Sequence, residues 1–209
     1  MNIITKKVRL IPATFVGTHI KIALEDPVSL KWGMLKVKIA EGHEKAVIDW
    51  GDGVLEDLTR SKSITHTYQN PGEYEVRISD DVSLLCCSSV QGSSEYRSIY
   101  APMIREFITN SPTLETLDYC CFRSALNLNV VNCAGIGLRS LGSWAFCACP
   151  LLPGRLDFPH VIDIAPDTFT YSPSIAELHF ASANAEAISA LPGYDTCFGA
   201  ENAVCKFDL

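Results

Sequence analysis

The residues with the greatest chemical potential in this 209-residue chain are nine cysteines, five histidines and a scatter of aspartates. The cysteines stand as Cys86-Cys87, Cys120-Cys121, Cys133, Cys147-x-Cys149, Cys197 and Cys205. None forms a C-x-x-C pair, so the usual ligand spacing of a zinc site is missing and no metal is expected. An odd count also excludes complete disulfide pairing. Small apolar-tolerant thiols of this kind read as reduced packing residues, which suits a reducing compartment. In the two adjacent pairs, alternation along a strand turns one member of each outward. The histidines (His19, His43, His66, His160 and His179) lie far apart, with no G-x-S-x-G elbow, P-loop or G-x-G-x-x-G beside them. No cofactor and no catalytic residue is assigned on that basis. A carboxylate pair assembled by folding keeps a glycan-processing enzyme as the weaker alternative. Asp49, Asp52, Asp80 and Asp81 either hold turn amides or supply oxygens to calcium.

The elements that must position these groups belong to a folded chain. Hydrophobic residues make up 47% and charged residues 20%, which is a globular composition. A net charge of −7 argues against sequence-independent nucleic-acid binding and against a polybasic membrane anchor. No apolar run reaches the roughly 20 residues of a membrane span. The opening MNIITKKVRLIPATFVG lacks the apolar stretch of a signal peptide, so the expectation is either no export by the general route or a signal that lies outside this sequence.

Charge divides the chain. Residues 101–209 hold 16 charged side chains against 25 in residues 1–100, and seven of the nine cysteines. A boundary is expected in the small-residue stretch SSVQGSSEY, giving domains 1–82 and 83–209 with separate cores. In the first, KVRLIP, HIKIAL, LKVKIA, KAVIDW and EYEVRI alternate apolar and polar residues between turn signals such as Asp26-Pro27 and Gly51-Asp52-Gly53. Short alternating strands at this spacing predict an antiparallel β-sandwich. VIDWGDG (47–53) followed by HTYQNPGEYEV (66–76) resembles the polycystic-kidney-disease (PKD) domain, an immunoglobulin-like sandwich. The matching residues are Trp50, Gly51, Asp52, Gly53, His66, Thr67, Tyr68, Pro71, Gly72, Tyr74 and Val76. Tyr68 falls where a tyrosine crosses the end of such a sandwich to bond backbone.

The second half is periodic. Phe122, Phe146 and Phe169 are 24 and 23 residues apart, each with an aliphatic residue six positions later and five earlier, the latter being Leu117, Leu141 and Ile164. A second phrase, SPTLETLDY (111–119), recurs as SPSIAELHF (172–180) and, with an insertion, as CPLLPGRLDF (149–158). Such periods signal a solenoid whose units share one core. Trp144-Ala145-Phe146-Cys147-Ala148-Cys149-Pro150-Leu151-Leu152 resembles the BspA-like branch of leucine-rich repeats. The tail reads as a short helix over 183–191, a Pro-Gly loop and a last strand, suited to a terminal cap.

Aligned on the second phrase, Leu117 and Tyr119 face inward, and the outward positions are Thr116 and Asp118, Asn129 and Val131, Arg155 and Asp157, Glu177 and His179. Asp118, Asp157 and His179 then share one row. From these outward rows, Thr116, Asp118, Asn129, Arg155, Asp157, Glu177 and His179 form the candidate binding set. The overall expectation is a mainly β chain, a PKD-like immunoglobulin-like sandwich followed by a short leucine-rich-repeat solenoid. The two resemblances imply a non-catalytic binding or adhesion protein of bacterial surface type, taking a protein or glycan partner. A phage-encoded tail or virion component is the alternative, since it needs no export signal.

Overall fold

The computed structural model describes residues 16–25, 31–87 and 101–209, with side chains from residue 35 onward in the second segment. The KVRLIP strand, the Asp26-Pro27 turn and the SSVQGSSEY boundary lie outside the described residues. The protein is mainly β, with strands in three sheets.

Seven strands come from the first 87 residues: β1 (Gly17–Leu24), β2 (Lys31–Ile39), β3 (Ala46–Asp49), β4 (Leu55–Leu58), β5 (Lys62–Thr67), β6 (Gly72–Ser79) and β7 (Val82–Cys86). Alternation explains their facing. In β1, Ile20, Ile22 and Leu24 are buried while His19 and Lys21 point away from the core. All pairings among β1 to β7 are antiparallel: β1 with β6, β6 with β3 and β3 with β4 in one sheet, β5 with β2 and β2 with β7 in the other. The sequence reading missed β4, β5 and β7. β4 is short, β5 has Ile64 as its one apolar residue and β7 is buried at four of five positions, so none carries a clean alternation.

The motif residues lock one end of this layer pair. The Tyr68 hydroxyl donates to the Trp50 carbonyl at 2.9 Å. The His66 ring stacks on Trp50 at 4.7 Å, and His66 Nε2 lies 2.8 Å from Asp52 Oδ2. Gly51, at φ +80°, is required there, because a Cβ would stand 2.6 Å from the Glu75 carbonyl oxygen.

Both sheets then continue into the second half: β8 (Ile104–Thr109) pairs antiparallel with β1, and β10 (Val130–Asn132) joins β8 in parallel. On the other sheet β9 (Thr116–Leu117), β11 (Ser140–Leu141) and β13 (Asp163–Ile164) extend β7 as successive parallel strands. A third sheet holds β12 (Arg155–Phe158), β14 (Glu177–Phe180) and β15 (Val204–Phe207), all parallel. The tail before β15 includes the short helix α1 (Ala185–Ser189).

This arrangement corrects the expectation of separate cores. One apolar cluster runs from Ile20 and Trp50 through Phe107 and Phe122 to Phe180 and Phe198. The reason is pairing: β1 and β7 would otherwise end their sheets with open rows of N–H and C=O groups, and β8 and β9 satisfy them.

The 24- and 23-residue spacings reappear as geometry. Phe122, Phe146 and Phe169 are fully buried, with successive ring centroids 5.2 and 5.6 Å apart. Two residues after each, Ser124, Ala148 and Tyr171 are left-handed, at φ 64°, 57° and 60°. Such a conformation costs an ordinary residue about 1–2 kcal/mol. Backbone bonds between successive units accompany the turns: Phe122 N–H to the Ala145 carbonyl at 2.7 Å, and Phe146 N–H to the Thr168 carbonyl at 2.9 Å. Cys121, Ala145 and Thr168, which precede the phenylalanines, are all buried.

Candidate functional site

The outward rows split between two faces, which corrects the alignment on the SP phrase. Thr116 pairs in register with Ser140, and Ser140 with Asp163, so β9 belongs with β11 and β13. Arg155 instead aligns with Glu177, and Asp157 with His179, on the sheet of β12, β14 and β15. Asp118 therefore shares no row with Asp157 and His179. Each unit contributes two turn-then-strand passages, one per face, and both read alike in sequence. The stacking of the phenylalanines decides which passages are equivalent.

Other positions also move. Tyr119 was expected inside but is 44% exposed, because β9 lasts two residues and the chain turns at Asp118, whose carbonyl accepts from Cys121 N–H at 3.1 Å. Val131 was expected outside but packs on the core beside Phe107, leaving Val130 and Asn132 outward. Asn129 is exposed just before β10. Thr116 is half-buried, and Asp118 pairs with Lys36 Nζ at 2.6 Å across to β2.

Four of the predicted residues do come together. Arg155 Nε sits 2.7 Å from Asp157 Oδ1 on β12. On β14 next to it, His179 is 2% exposed, with Nε2 2.8 Å from Glu177 Oε2 and Nδ1 2.6 Å from Asp208 Oδ1. Lys206 of β15 closes the group on Glu177 Oε1. Hydrogen bonds from Lys206 and then His179 lower the Glu177 carboxyl from 4.5 to about 2. Sequence reasoning missed Lys206 and Asp208 because the tail does not repeat. The register of β15 on β14, which sets His179 beside Lys206, is what brings them in.

The same reasoning overlooked a groove of about 420 Å³ across β6, β1 and β8. Its polar side chains include His19, Lys21, Glu73, Glu75 and Glu106. Lys21 Nζ lies 3.1 Å from Glu73 and 3.7 Å from Glu106, and the hydrogen bond to Glu73 leads the causes that raise its pKa. Glu75 accepts from Arg77 at 2.7 Å and faces His19 Nδ1 at 2.7 Å, and its pKa is lowered, first by Arg77. Tyr74 borders the groove, its ring stacked on Tyr68 at 4.1 Å. The signal was present in the polar positions of HIKIAL and EYEVRI. IREFIT, which supplies Glu106, was not read as a strand.

These carboxylates and cations are held in pairs, leaving a preformed polar surface able to hydrogen-bond hydroxyl, amide or charged groups. The four aspartates with a possible calcium role are not gathered. Asp49 accepts from Gly51 N–H and Asp52 from Val54 N–H, while Asp81 contacts His43 and Ser79. Among the described residues, no group of three or more His, Cys, Asp or Glu side chains is placed to hold a metal ion. None of their helices is long and apolar enough to cross a membrane.

None of the nine cysteines is joined in a disulfide. Cys86, Cys87, Cys120 and Cys121 are all buried, correcting the expectation that one of each pair faces outward. β7 lies between β2 and β9, and the turn after β9 folds Cys120 and Cys121 under the next unit. Burial pushes the Cys149 thiol up to about 12. The half-exposed thiols are Cys197 and Cys205. No family model, curated protein or solved structure matches the chain.

Proposed function

We propose that the chain is a non-catalytic recognition protein, a PKD-like immunoglobulin-like sandwich continued by a short BspA-like leucine-rich-repeat solenoid. It takes a protein or glycan partner, as adhesion proteins of bacterial surfaces do. The observation that carries this reading is the groove of about 420 Å³ over β6, β1 and β8, whose charged side chains are already held in pairs. Groups fixed before binding lose little freedom on contact, which favours recognition. The register of β8 with β10, and the pairing of β12, β14 and β15, add further outward polar positions along the repeats, from Asn132 to Arg155, Asp157 and Glu177.

The test is a binding screen of the intact chain against glycans and matrix proteins, repeated with Lys21→Glu and Glu106→Lys. A partner whose affinity falls about tenfold or more with either variant, a loss of roughly 1.4 kcal/mol, supports the reading. Undiminished binding by both variants would overturn the groove as the site.

One observation favours the second reading, a phage-encoded tail or virion component. Nine cysteines with no disulfide among them suit a chain assembled in a reducing compartment. Co-purification with assembled particles would select it.

A further inference from the structure

Two aromatic side chains meet on the sheet that β7, β9, β11 and β13 continue, which is not the sheet that carries the groove over β6, β1 and β8. Tyr119 follows β9 and Trp144 follows β11, and their ring centroids are 5.8 Å apart at 32°. The backbone sets them in neighbouring turns, since the N–H of Cys120 bonds the Ser143 carbonyl at 2.9 Å. The Arg123 guanidinium lies 4.4 Å from the Trp144 ring centroid, a cation–π contact that holds the indole. Tyr119 is exposed and Trp144 half-buried. The apolar cluster of the described residues includes neither ring, so core packing does not account for them. Turn geometry does not either. Trp144 holds φ 57°, a left-handed conformation that disfavours bulky residues and suits glycine or asparagine.

We propose that Tyr119 and Trp144 form a glycan-binding platform whose ligand is a neutral oligosaccharide of β-linked, glucose-type pyranoses. The charges around the rings select a neutral ligand. Arg123 already places a cation on Trp144, so a cationic ligand would meet like charge. Asp118 beside Tyr119 is paired with Lys36 at 2.6 Å, and Asp167 accepts from the Ser143 hydroxyl at 2.9 Å. These two carboxylates oppose an anionic ligand. A glucose-type pyranose carries its hydroxyls around the rim and leaves C–H groups on both faces. The C–H faces suit the negative faces of the aromatic rings, and the rim hydroxyls can donate to the carboxylates. Rings already held by the turns and by Arg123 lose little freedom on contact. The platform rests on the recognition reading but not on the groove.

The intact chain is titrated with hexasaccharides of β-linked glucose and of β-linked N-acetylglucosamine, followed by tryptophan emission and by calorimetry. At least one of the two should bind with a saturable change in emission. Trp144→Phe, which keeps an aromatic ring, should retain the heat of binding and lose the emission change, since Trp50 is fully buried. Tyr119→Ala should weaken binding about tenfold or more. Tyr119→Leu, which keeps apolar bulk without the π-face, should do the same while holding the wild-type thermal midpoint. Lys21→Glu and Glu106→Lys should leave sugar binding unchanged. No binding of either sugar, or undiminished binding by the Tyr119 variants, would overturn the platform. Binding lost in the Lys21 or Glu106 variants and kept in the Tyr119 variants would overturn it as well, while leaving the groove reading in place.

Discussion

Ser172 donates its hydroxyl to the carbonyl of Phe146, 2.7 Å away, and accepts from the backbone N–H of Cys149 at 3.0 Å. One unit earlier, Cys149 stands in its place and donates its thiol to the carbonyl of Phe122 at 3.1 Å. A small side chain with one weak or strong donor therefore bolts each turn to the unit before it. This explains why Ser and Cys exchange at equivalent positions: both fit the buried site and both can donate.

Ser172→Ala should destabilise the chain by about 1–3 kcal/mol, the cost of leaving buried polar groups unsatisfied. Ser172→Cys, which copies the neighbouring unit, should cost clearly less. Urea denaturation of the three proteins measures both, and equal losses for Ala and Cys would refute the bolt.

Phe146 is sandwiched between Phe122 and Phe169 and is fully buried. Phe146→Ala should cost ~3–5 kcal/mol in the same measurement, as large aromatic truncations in cores do. A loss below about 1 kcal/mol, typical of surface changes, would contradict the stacking.

Glu177 is held at about 2 in the folded state against 4.5 ordinarily, first by Lys206 and then by His179. Its folded value is depressed, so its contribution to stability is present above the unfolded value and is lost as pH falls through the folded one. Thermal midpoints should drop between roughly pH 4.5 and 2, with Glu75, also lowered, acting in the same direction. Glu177→Gln should flatten part of that decline. An unchanged profile in the variant would show that the carboxylate is uncoupled from folding.

Residues 1–87 alone would leave β1 without β8 and β7 without β9. That fragment should unfold at lower urea than the full chain or associate through its open edges. Circular dichroism and sedimentation decide it. A monomeric fragment as stable as the whole chain would restore two independent cores.

Much of the local structure is legible in the sequence, because it depends on neighbours a few residues apart. Alternation marks β1, β3 and β6, and paired motifs place Trp50, Asp52, His66 and Tyr68 where they meet. The period of 24 and 23 residues identifies the stacked phenylalanines. Which strands lie side by side is a different question. Thr116 and Glu177 sit in similar phrases yet belong to different faces, because register is decided by bonds between strands distant in sequence and by the packing of rings. The same holds for His179. Its sequence position marks an outward residue, but Asp208 and Lys206 cover it only because β15 folds back onto β14. The continuity of the core across residue 82 is likewise tertiary, since an edge strand reveals its need for a partner only when the sheet exists.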